Sequence, residues 1–258
     1  MLDVSQELFK VHETYLQTAR NKSFNALVYG KPGSGKTYSL RTARKPVLVH
    51  SFDPGGSKTN REIVDGSSFA VDARFESRNL KPAEICDLWI SEVDRLADNG
   101  MLDSLGTWAI DSFSTWINVL MSKVMTIPLP KGQRTYPGVP AMSDYQILGV
   151  RVREIITRSC SFGCDFILIA HVQSEMDQVT GGIDNTLASF PSLRTLLPTL
   201  FDEIYYARAT AGSKGTEYQF QLANDGLFTA CSRLAASGKL QAREPQDFLA
   251  LRRKVGLE

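Results

Sequence analysis

The chain has 258 residues, of which 43% are hydrophobic and 22% charged, a balance typical of a globular protein with a sizeable core. Lysine and arginine number 29 against 28 aspartate and glutamate residues, so the formal charge of +1 lacks the basic excess that would by itself indicate nucleic-acid binding. No run approaches the ~20 apolar residues of a membrane-spanning helix, and the opening residues show no secretion signal, so we expect a cytoplasmic protein without a membrane partner.

The first residues predict a helical extension ahead of the main domain. Residues 4–20 mix apolar and charged residues at a loosely helical spacing. The run NALVYG at residues 25–30 follows, and its apolar character and final glycine predict a buried strand. We therefore divide the chain into an extension over residues 1–22 and one domain over residues 23–258.

The rest of the chain alternates between predicted helices and strands. Further strands are predicted at residues 46–52, 69–72, 107–110 and 165–170, where short apolar runs are bounded by polar residues. Helices are predicted at residues 36–43, 82–97, 114–124, 144–158, 192–200 and 247–255. Two alternating segments, 203–210 and 216–223, predict an antiparallel hairpin. This order indicates an α/β fold with a mostly parallel twisted sheet, helices on both faces and a C-terminal hairpin.

Two long segments between these elements are predicted to be loops. Residues 126–142 contain four prolines and two glycines, and residues 172–190 are polar and contain glycine. Long loops inside a compact domain are usually functional, so both are candidates for contact with a partner.

Cysteine and histidine are too few to favour a zinc enzyme. The four cysteines are Cys86, Cys160, Cys164 and Cys231, and the chain has three histidines. No second pair lies near Cys160 and Cys164 to complete a tetrahedral site. We expect reduced, mostly buried thiols.

The clearest chemical signal is a phosphate loop with the spacing G-x-x-x-x-G-K-T. Glycines there let successive backbone N–H groups point at phosphate oxygens, and the helix that follows adds the positive end of its dipole. Lys36 is predicted to reach the β and γ phosphates, and the Thr37 hydroxyl to bind Mg²⁺. The predicted binding residues for ATP are Gly30, Lys31, Pro32, Gly33, Ser34, Gly35, Lys36, Thr37 and Tyr38.

A second acidic element follows a later strand. The run TWAIDS places Asp111 at the carboxyl end of the strand predicted at residues 107–110. A carboxylate at that edge can hold the hydration shell of Mg²⁺ beside a phosphate loop. The alternative is an aspartate that caps the next helix.

The residue that would activate water is less well defined. Asp53 ends the strand predicted at residues 46–52, at the same edge of the sheet as the phosphate loop. It is a candidate base, or it caps the Pro54-Gly55-Gly56 turn, and the sequence leaves both open. Glu62 and Glu76 are less favoured candidates.

His171 and Gln173 follow the strand predicted at residues 165–170. At the carboxyl edge of the sheet, a polar side chain can sense the γ-phosphate and pass its presence to the loop that follows. The alternative is a surface or capping role for His171.

With these elements placed, the sequence resembles the RecA-like branch of phosphate-loop ATPases. More narrowly, it resembles the AAA-type ATP-binding proteins of bacteriophages that act in single-strand annealing and recombination. The resemblance spans roughly residues 23–255 and rests on the segments GKPGSGKT, TWAIDS, ILIAHVQSE, LFDEIYYARAT and EPQDFLALRRK.

This resemblance implies a RecA-like core, ATP hydrolysis with Mg²⁺, and rings or filaments of identical subunits in the host cytoplasm. It implies single-stranded DNA as a partner and makes a phage or host single-stranded DNA-binding protein a further candidate. Lys36 and Thr37 match the phosphate and metal positions, Asp111 the second acidic motif, and His171 with Gln173 the sensor. Residues 172–190 match the position of DNA-binding loops.

The chain departs from the family's pattern at two places. Gly55 stands where RecA-like enzymes usually carry a glutamate, which moves the base to Asp53 or elsewhere. Residues 172–190 contain Asp177 and Asp184 but no lysine or arginine. This is unusual for a DNA-binding loop, because contacts with phosphate normally dominate the affinity for DNA. Basic candidates elsewhere are Lys131 and Arg134 beside Tyr136, the helix residues Arg151, Arg153 and Arg158, the tail residues Arg252, Arg253 and Lys254, and Lys214 or Arg208 as a finger into a neighbouring subunit.

Two other functions share the phosphate loop. One is a nucleotide-gated loader or packaging accessory that binds ATP and turns it over weakly, as Gly55 suggests. The other is a small-molecule phosphotransferase such as a nucleotide kinase, for which Arg134 in a loop would serve as the lid arginine.

Overall fold

A mostly parallel sheet of ten strands forms the centre of the protein. The structure is a computed structural model that describes residues 3–17, 23–130, 134, 136–176, 183–213 and 215–257. Along the sheet the strands follow the order β10-β8-β7-β1-β5-β4-β2-β3, with β6 paired to β5 and β9 to β7. Their bounds are β1 (Asn25–Gly30), β2 (Val47–Ser51), β3 (Phe69–Asp72), β4 (Thr107–Asp111), β5 (Asp165–Met176), β6 (Ile183–Leu187), β7 (Glu203–Gly212), β8 (Gly215–Gln221), β9 (Cys231–Ser232) and β10 (Arg243–Pro245).

Helices cover both faces of this sheet. They are α1 (Val4–Gln17), α2 (Lys36–Ser39), α3 (Pro82–Asp98), α4 (Met101–Ser104), α5 (Phe113–Val124), α6 (Met142–Ser159), α7 (Pro191–Leu196) and α8 (Phe248–Val255). Pro82 starts α3 with its fixed φ, and the Lys81 backbone N–H donates to Glu84 at 2.7 Å, which satisfies a free donor at that end. None of the described helices is long and apolar enough to cross a membrane.

The core is split by the sheet into two apolar clusters. Side chains alternate along a strand, so Leu27 and Tyr29 of β1 face one cluster while Ala26 and Val28 face the other. The larger cluster lies under α3, α5, α6 and α7, and the smaller one lies under α8 and the turn after α2. Because β1 is buried along its whole length, the residue that ends it is held firmly in place.

The predicted α/β class, parallel sheet and C-terminal hairpin are confirmed. β1, β2, β3, β4, β5 and β7 run parallel, and β7 pairs with β8 in antiparallel register. The helix α1 lies inside the predicted extension, and all described side chains over residues 3–15 are exposed. The division of the chain at residue 22 stays a prediction.

Three local predictions were wrong. The helix expected over residues 36–43 is α-helical only to Ser39 and then tightens into a 3-10 turn at Leu40–Thr42. The helix expected over residues 192–200 likewise ends at Leu196 and continues as a 3-10 turn. The loop expected over residues 172–190 is largely a hairpin, because β5 runs on to Met176 and pairs with β6. Polar residues form this hairpin because its strands extend beyond the parallel sheet.

A histidine lies inside the larger apolar cluster. His50 is fully buried on β2, and its Nδ1 accepts hydrogen bonds from the indole N–H of Trp89 at 3.0 Å and of Trp108 at 3.3 Å. Burial lowers the pKa of His50 to about 4, since a charge there would lose its hydration. The ring is therefore a neutral acceptor at physiological pH.

This burial makes folding stability depend on pH. The pKa of His50 is about 4 in the folded chain and 6.5 in the unfolded chain. The contribution of the neutral His50 to the free energy of unfolding is therefore complete above pH 6.5 and is lost as the pH falls towards 4. From pH 7.5 to pH 5 we expect a loss of ~2 kcal/mol in the free energy of unfolding, measured by urea titration. His50→Gln should remove that part of the pH dependence, and an equal slope in both proteins would contradict the assignment.

Candidate nucleotide-binding site

The phosphate loop begins where β1 ends, in the middle of the sheet. Gly30 pairs with His171 of β5 on one side and with Ala207 of β7 on the other. A Cβ at Gly30 would lie 2.6 Å from the carbonyl oxygen of Ala207, so only glycine fits there. Gly35 has φ +87°, a left-handed conformation that glycine adopts without strain. The sequence thus turns back on itself directly before α2.

Lys36 lies buried beneath this turn. Its Nζ donates to the carbonyl oxygens of Gly30 at 2.9 Å and of Lys31 at 2.8 Å. Burial lowers the pKa of Lys36, while the charges of Asp111 and Asp53 act in the opposite direction. The ammonium group is therefore fixed by the loop backbone and lies within the electrostatic influence of two carboxylates.

Thr37 and Asp111 meet although 74 residues separate them. The Thr37 hydroxyl donates to Oδ2 of Asp111 at 2.6 Å. The pKa of Asp111 is raised to about 6, and burial is the main cause. The Thr37 hydrogen bond acts against this shift, while the charge of Asp53 adds to it. The peptide bond after Asp111 is cis.

These two residues fit a magnesium ion that is shared with a phosphate. Mg²⁺ prefers oxygen ligands and is usually held by one or two carboxylates together with phosphate and water. Among the described residues, no group of three or more acidic, cysteine or histidine side chains could hold a metal alone. Thr37 and Asp111 could supply a hydroxyl and a carboxylate to such an ion, with phosphate and water as further ligands.

The side chain of Asp53 points into the same region. Its Oδ1 accepts hydrogen bonds from the hydroxyls of Ser112, at 2.7 Å, and Thr115, and its Oδ2 lies 2.9 Å from Nε2 of His171. Burial works against ionisation, but the bonds from His171, Thr115 and Ser112 outweigh it and lower the pKa of Asp53. Asp53 is therefore an oriented carboxylate that is ionised at neutral pH.

Strand register explains why Asp53 and His171 meet. Asp111 is paired with Ser51 of β2 and with Ile169 of β5. Asp53 and His171 each lie two residues beyond those partners, so both extend past Asp111 from opposite sides. Parallel strands end at one edge of the sheet, and this edge gathers the polar side chains.

The turn after Asp53 is held by another residue. Glu76 accepts the backbone N–H of Gly55 at its Oε2 and that of Ser57 at its Oε1, both at 2.8 Å. The described hydrogen bonds of the Asp53 side chain go to the site, so the cap of this turn is Glu76. Glu76, a less favoured candidate for the base, thus binds the backbone of this turn.

Gln173 is not brought into the cluster around Asp53. It lies on the outer part of β5, and its side-chain amide donates to Oε1 of Glu175 at 2.6 Å. His171, in contrast, points at Asp53, and its backbone N–H donates to the Ser114 hydroxyl at 3.1 Å. The two residues of the predicted sensor therefore have different surroundings.

Most of the basic candidates already have acidic partners within the chain. Arg134 binds Asp144 at 2.6 Å, Arg151 binds Glu154 at 3.3 Å, Arg158 binds Asp94 at 2.6 Å, Arg208 lies 3.6 Å from Asp225, Arg252 binds Asp165 at 2.7 Å, and Lys254 binds Glu244 at 2.6 Å. Lys131, Asp177, Lys214 and the Asp184 side chain lie outside the described residues.

Several residues around the loop carry no signal in the sequence. Asn60 donates to the carbonyl oxygen of Thr37 at 2.9 Å, and Gln246 donates to that of Ser34 at 2.7 Å. Ser112 and Thr115 follow Asp111 by one and four residues, yet only the fold turns them towards Asp53. A motif search could not have found Gln246, which is 212 residues from Ser34.

Similarity to known proteins shows the family of the chain. No curated protein sequence matches the chain. Among solved structures, a prototypical ATPase from the type III secretion system of pathogenic bacteria is similar to 86% of this chain at 11% identity and a TM-score of 0.42. This chain spans 56% of that structure. The sequence profile of the AAA domain family matches residues 22–234, a segment that contains the phosphate loop, Asp53, Asp111 and His171. The chain therefore belongs to the family of AAA domains.

Proposed function

We propose that the protein is a Mg²⁺-dependent ATPase that works as an oligomer on single-stranded DNA. The observation that supports the ATPase part most directly is the contact between Thr37 and Asp111 beside the buried Lys36. A buried ammonium group, a hydroxyl and a carboxylate next to the phosphate loop would suit a nucleoside triphosphate with its metal.

Each residue has a role in hydrolysis. Bound Mg²⁺ would neutralise the charge that develops on the phosphate oxygens. Lys36 would bind those oxygens as a cation, while Thr37 and Asp111 would hold the metal ion. Asp53 accepts a hydrogen bond from the attacking water, and its ionised state at neutral pH follows from its lowered pKa.

His171 connects the site to the hairpin of β5 and β6. Its ring contacts Asp53, and the same strand continues to Met176. At the start of the hairpin, the Ala188 backbone N–H donates to the carbonyl oxygen of His171 at 2.9 Å. We assign DNA contact to this hairpin, because it lies where the family resemblance has DNA-binding loops and can respond to the state of Asp53.

Turnover and DNA binding should be measured together. ATP hydrolysis is followed with and without single-stranded DNA at moderate salt, and DNA binding by a mobility shift at the same salt. We expect DNA to increase turnover, and light scattering to show assemblies larger than one subunit. Hydrolysis with neither stimulation nor a shift at any protein concentration would contradict the DNA role alone. Failure to hydrolyse ATP under any of these conditions would contradict the proposed ATPase activity.

A nucleotide-gated loader with weak turnover is the second candidate. Gly55 favours it, because its backbone N–H is bound by Glu76 and it offers no carboxylate. A slow turnover that DNA leaves unchanged, together with tight ATP binding, would support this function. The phosphotransferase has less support, because Arg134 binds Asp144 through two hydrogen bonds, at 2.6 and 2.9 Å.

A further inference from the structure

Gln246 reaches the phosphate loop from the C-terminal part of the chain. It lies between β10 and α8, and its Nε2 donates to the carbonyl oxygen of Ser34 at 2.7 Å. The same nitrogen lies 3.2 Å from the carbonyl oxygen of Gln219 on β8 and 3.4 Å from that of Arg208 on β7. One amide group therefore joins the loop to both strands of the C-terminal hairpin.

The contact between Gln246 and the loop is also a close packing contact. A Cβ at Gly35 would lie 2.5 Å from Oε1 of Gln246 and 2.7 Å from the ring of Tyr218. No side chain fits at Gly35 without moving these groups. Gln246 and Tyr218 thus form a wall against which the loop backbone rests.

The hydrogen bond fixes the orientation of one peptide group in the loop. A peptide unit is planar and trans, so the N–H of Gly35 points away from the carbonyl oxygen of Ser34. Gln246 holds that oxygen, and the N–H is thereby directed to the opposite side. Phosphate loops bind through such directed N–H groups, so a fixed peptide plane reduces the ordering that a ligand must impose.

The segment that carries Gln246 is itself firmly held. β10 pairs with β8, and Asp247 caps α8 by accepting the Ala250 N–H at 2.9 Å. The Phe248 N–H donates to the Thr42 hydroxyl at 3.0 Å, just after the loop and α2, and the Phe248 ring is buried. A side chain on a rigid support can hold its partner at little cost in conformational entropy.

We propose that Gln246 is a positioning residue of the nucleotide site, which sets the Ser34–Gly35 peptide before the ligand binds. This inference rests on the proposed ATP binding. It places part of the site beyond residues 22–234, the segment that matches the AAA domain family. Gln246 thereby links the phosphate loop to the C-terminal hairpin.

The test compares three variants for binding of ATP with Mg²⁺ and for hydrolysis. Gln246→Ala removes the amide, and Gln246→Met keeps most of the volume but cannot donate. Gln241→Ala is the matched control, an exposed glutamine in the same segment. We expect the Ala and Met variants to raise the ATP dissociation constant and KM about tenfold, with kcat changed less than about twofold. The control should bind ATP as the original protein does.

The melting temperature without nucleotide separates positioning from a purely structural role. A structural role would lower it and leave the dissociation constant of the folded protein unchanged, which would overturn the proposal. Original affinity in Gln246→Met would also overturn it, and this variant decides the matter if Gln246→Ala fails to fold. If the original protein binds no ATP, the proposed function itself fails. If the original protein binds ATP and the Gln246 variants bind it equally well, only the role of Gln246 fails.

Discussion

Lys36→Ala is expected to weaken binding of ATP with Mg²⁺ by at least about a hundredfold, since charged hydrogen bonds to phosphate are among the strongest in proteins. The Lys36 ammonium is buried at the base of the loop and lies near the carboxylates of Asp111 and Asp53. Without it, the triphosphate would lose this ammonium group while the two carboxylates remain. Isothermal titration with a non-hydrolysable ATP analogue measures the loss.

An exposed lysine outside the site provides the control for Lys36. Lys239 lies ahead of β10 and is not among the residues predicted to bind ATP. Lys239→Ala should therefore change the dissociation constant by less than about threefold, as expected for an exposed charge. If Lys36→Ala bound ATP as tightly as Lys239→Ala, the phosphate role of Lys36 would be wrong.

Asp53→Asn is expected to reduce kcat for ATP hydrolysis by about a hundredfold or more, because general base catalysis contributes 10²–10⁴-fold in enzymes. The amide keeps an oxygen to accept from Ser112 and Thr115, so the site should keep its shape. Nucleotide affinity should stay within about threefold, since the described contacts of the Asp53 side chain are with Ser112, Thr115 and His171 and not with the phosphate loop. Single-turnover and steady-state hydrolysis give the two constants.

The exposed Asp87, which pairs with Lys123 on the surface, is a matched control for Asp53. Asp87→Asn should leave both constants unchanged. Full turnover in Asp53→Asn would show that Asp53 is not the base.

His171→Ala tests whether His171 orients the Asp53 carboxylate. If it does, kcat should fall by a smaller factor than in Asp53→Asn, with ATP affinity retained.

The two alternatives for Asp53 show what contact information adds. As a strand-end residue before Pro54-Gly55-Gly56, it could equally cap the turn or serve the site. The structure gives the turn to Glu76 and directs Asp53 to His171. Both outcomes depend on residues more than twenty positions away, which no local pattern contains.

Strand continuation is a second point at which local pattern failed. Residues 172–190 are polar and contain glycine, which is typical of a loop, yet 172–176 pair with 183–187. Hairpin pairing is stabilised by backbone hydrogen bonds and cross-strand contacts, so a polar composition does not exclude it. The base of this hairpin, at Val172 and Leu187, packs against the larger cluster, while its outer part extends beyond the parallel sheet and lacks the apolar run of a buried strand.

By itself, the sequence determined the features that are encoded in consecutive residues. The phosphate loop, the acid at the end of β4 and the α/β alternation are local patterns, and their physical causes act over a few residues: backbone curvature at glycine, burial of apolar runs and strand ends at one edge. Only the tertiary structure decided that Asp53 faces His171, that Glu76 caps the turn and that Gln246 holds the loop. Those contacts span 118, 21 and 212 residues, and the free energy that selects them comes from packing of the whole sheet.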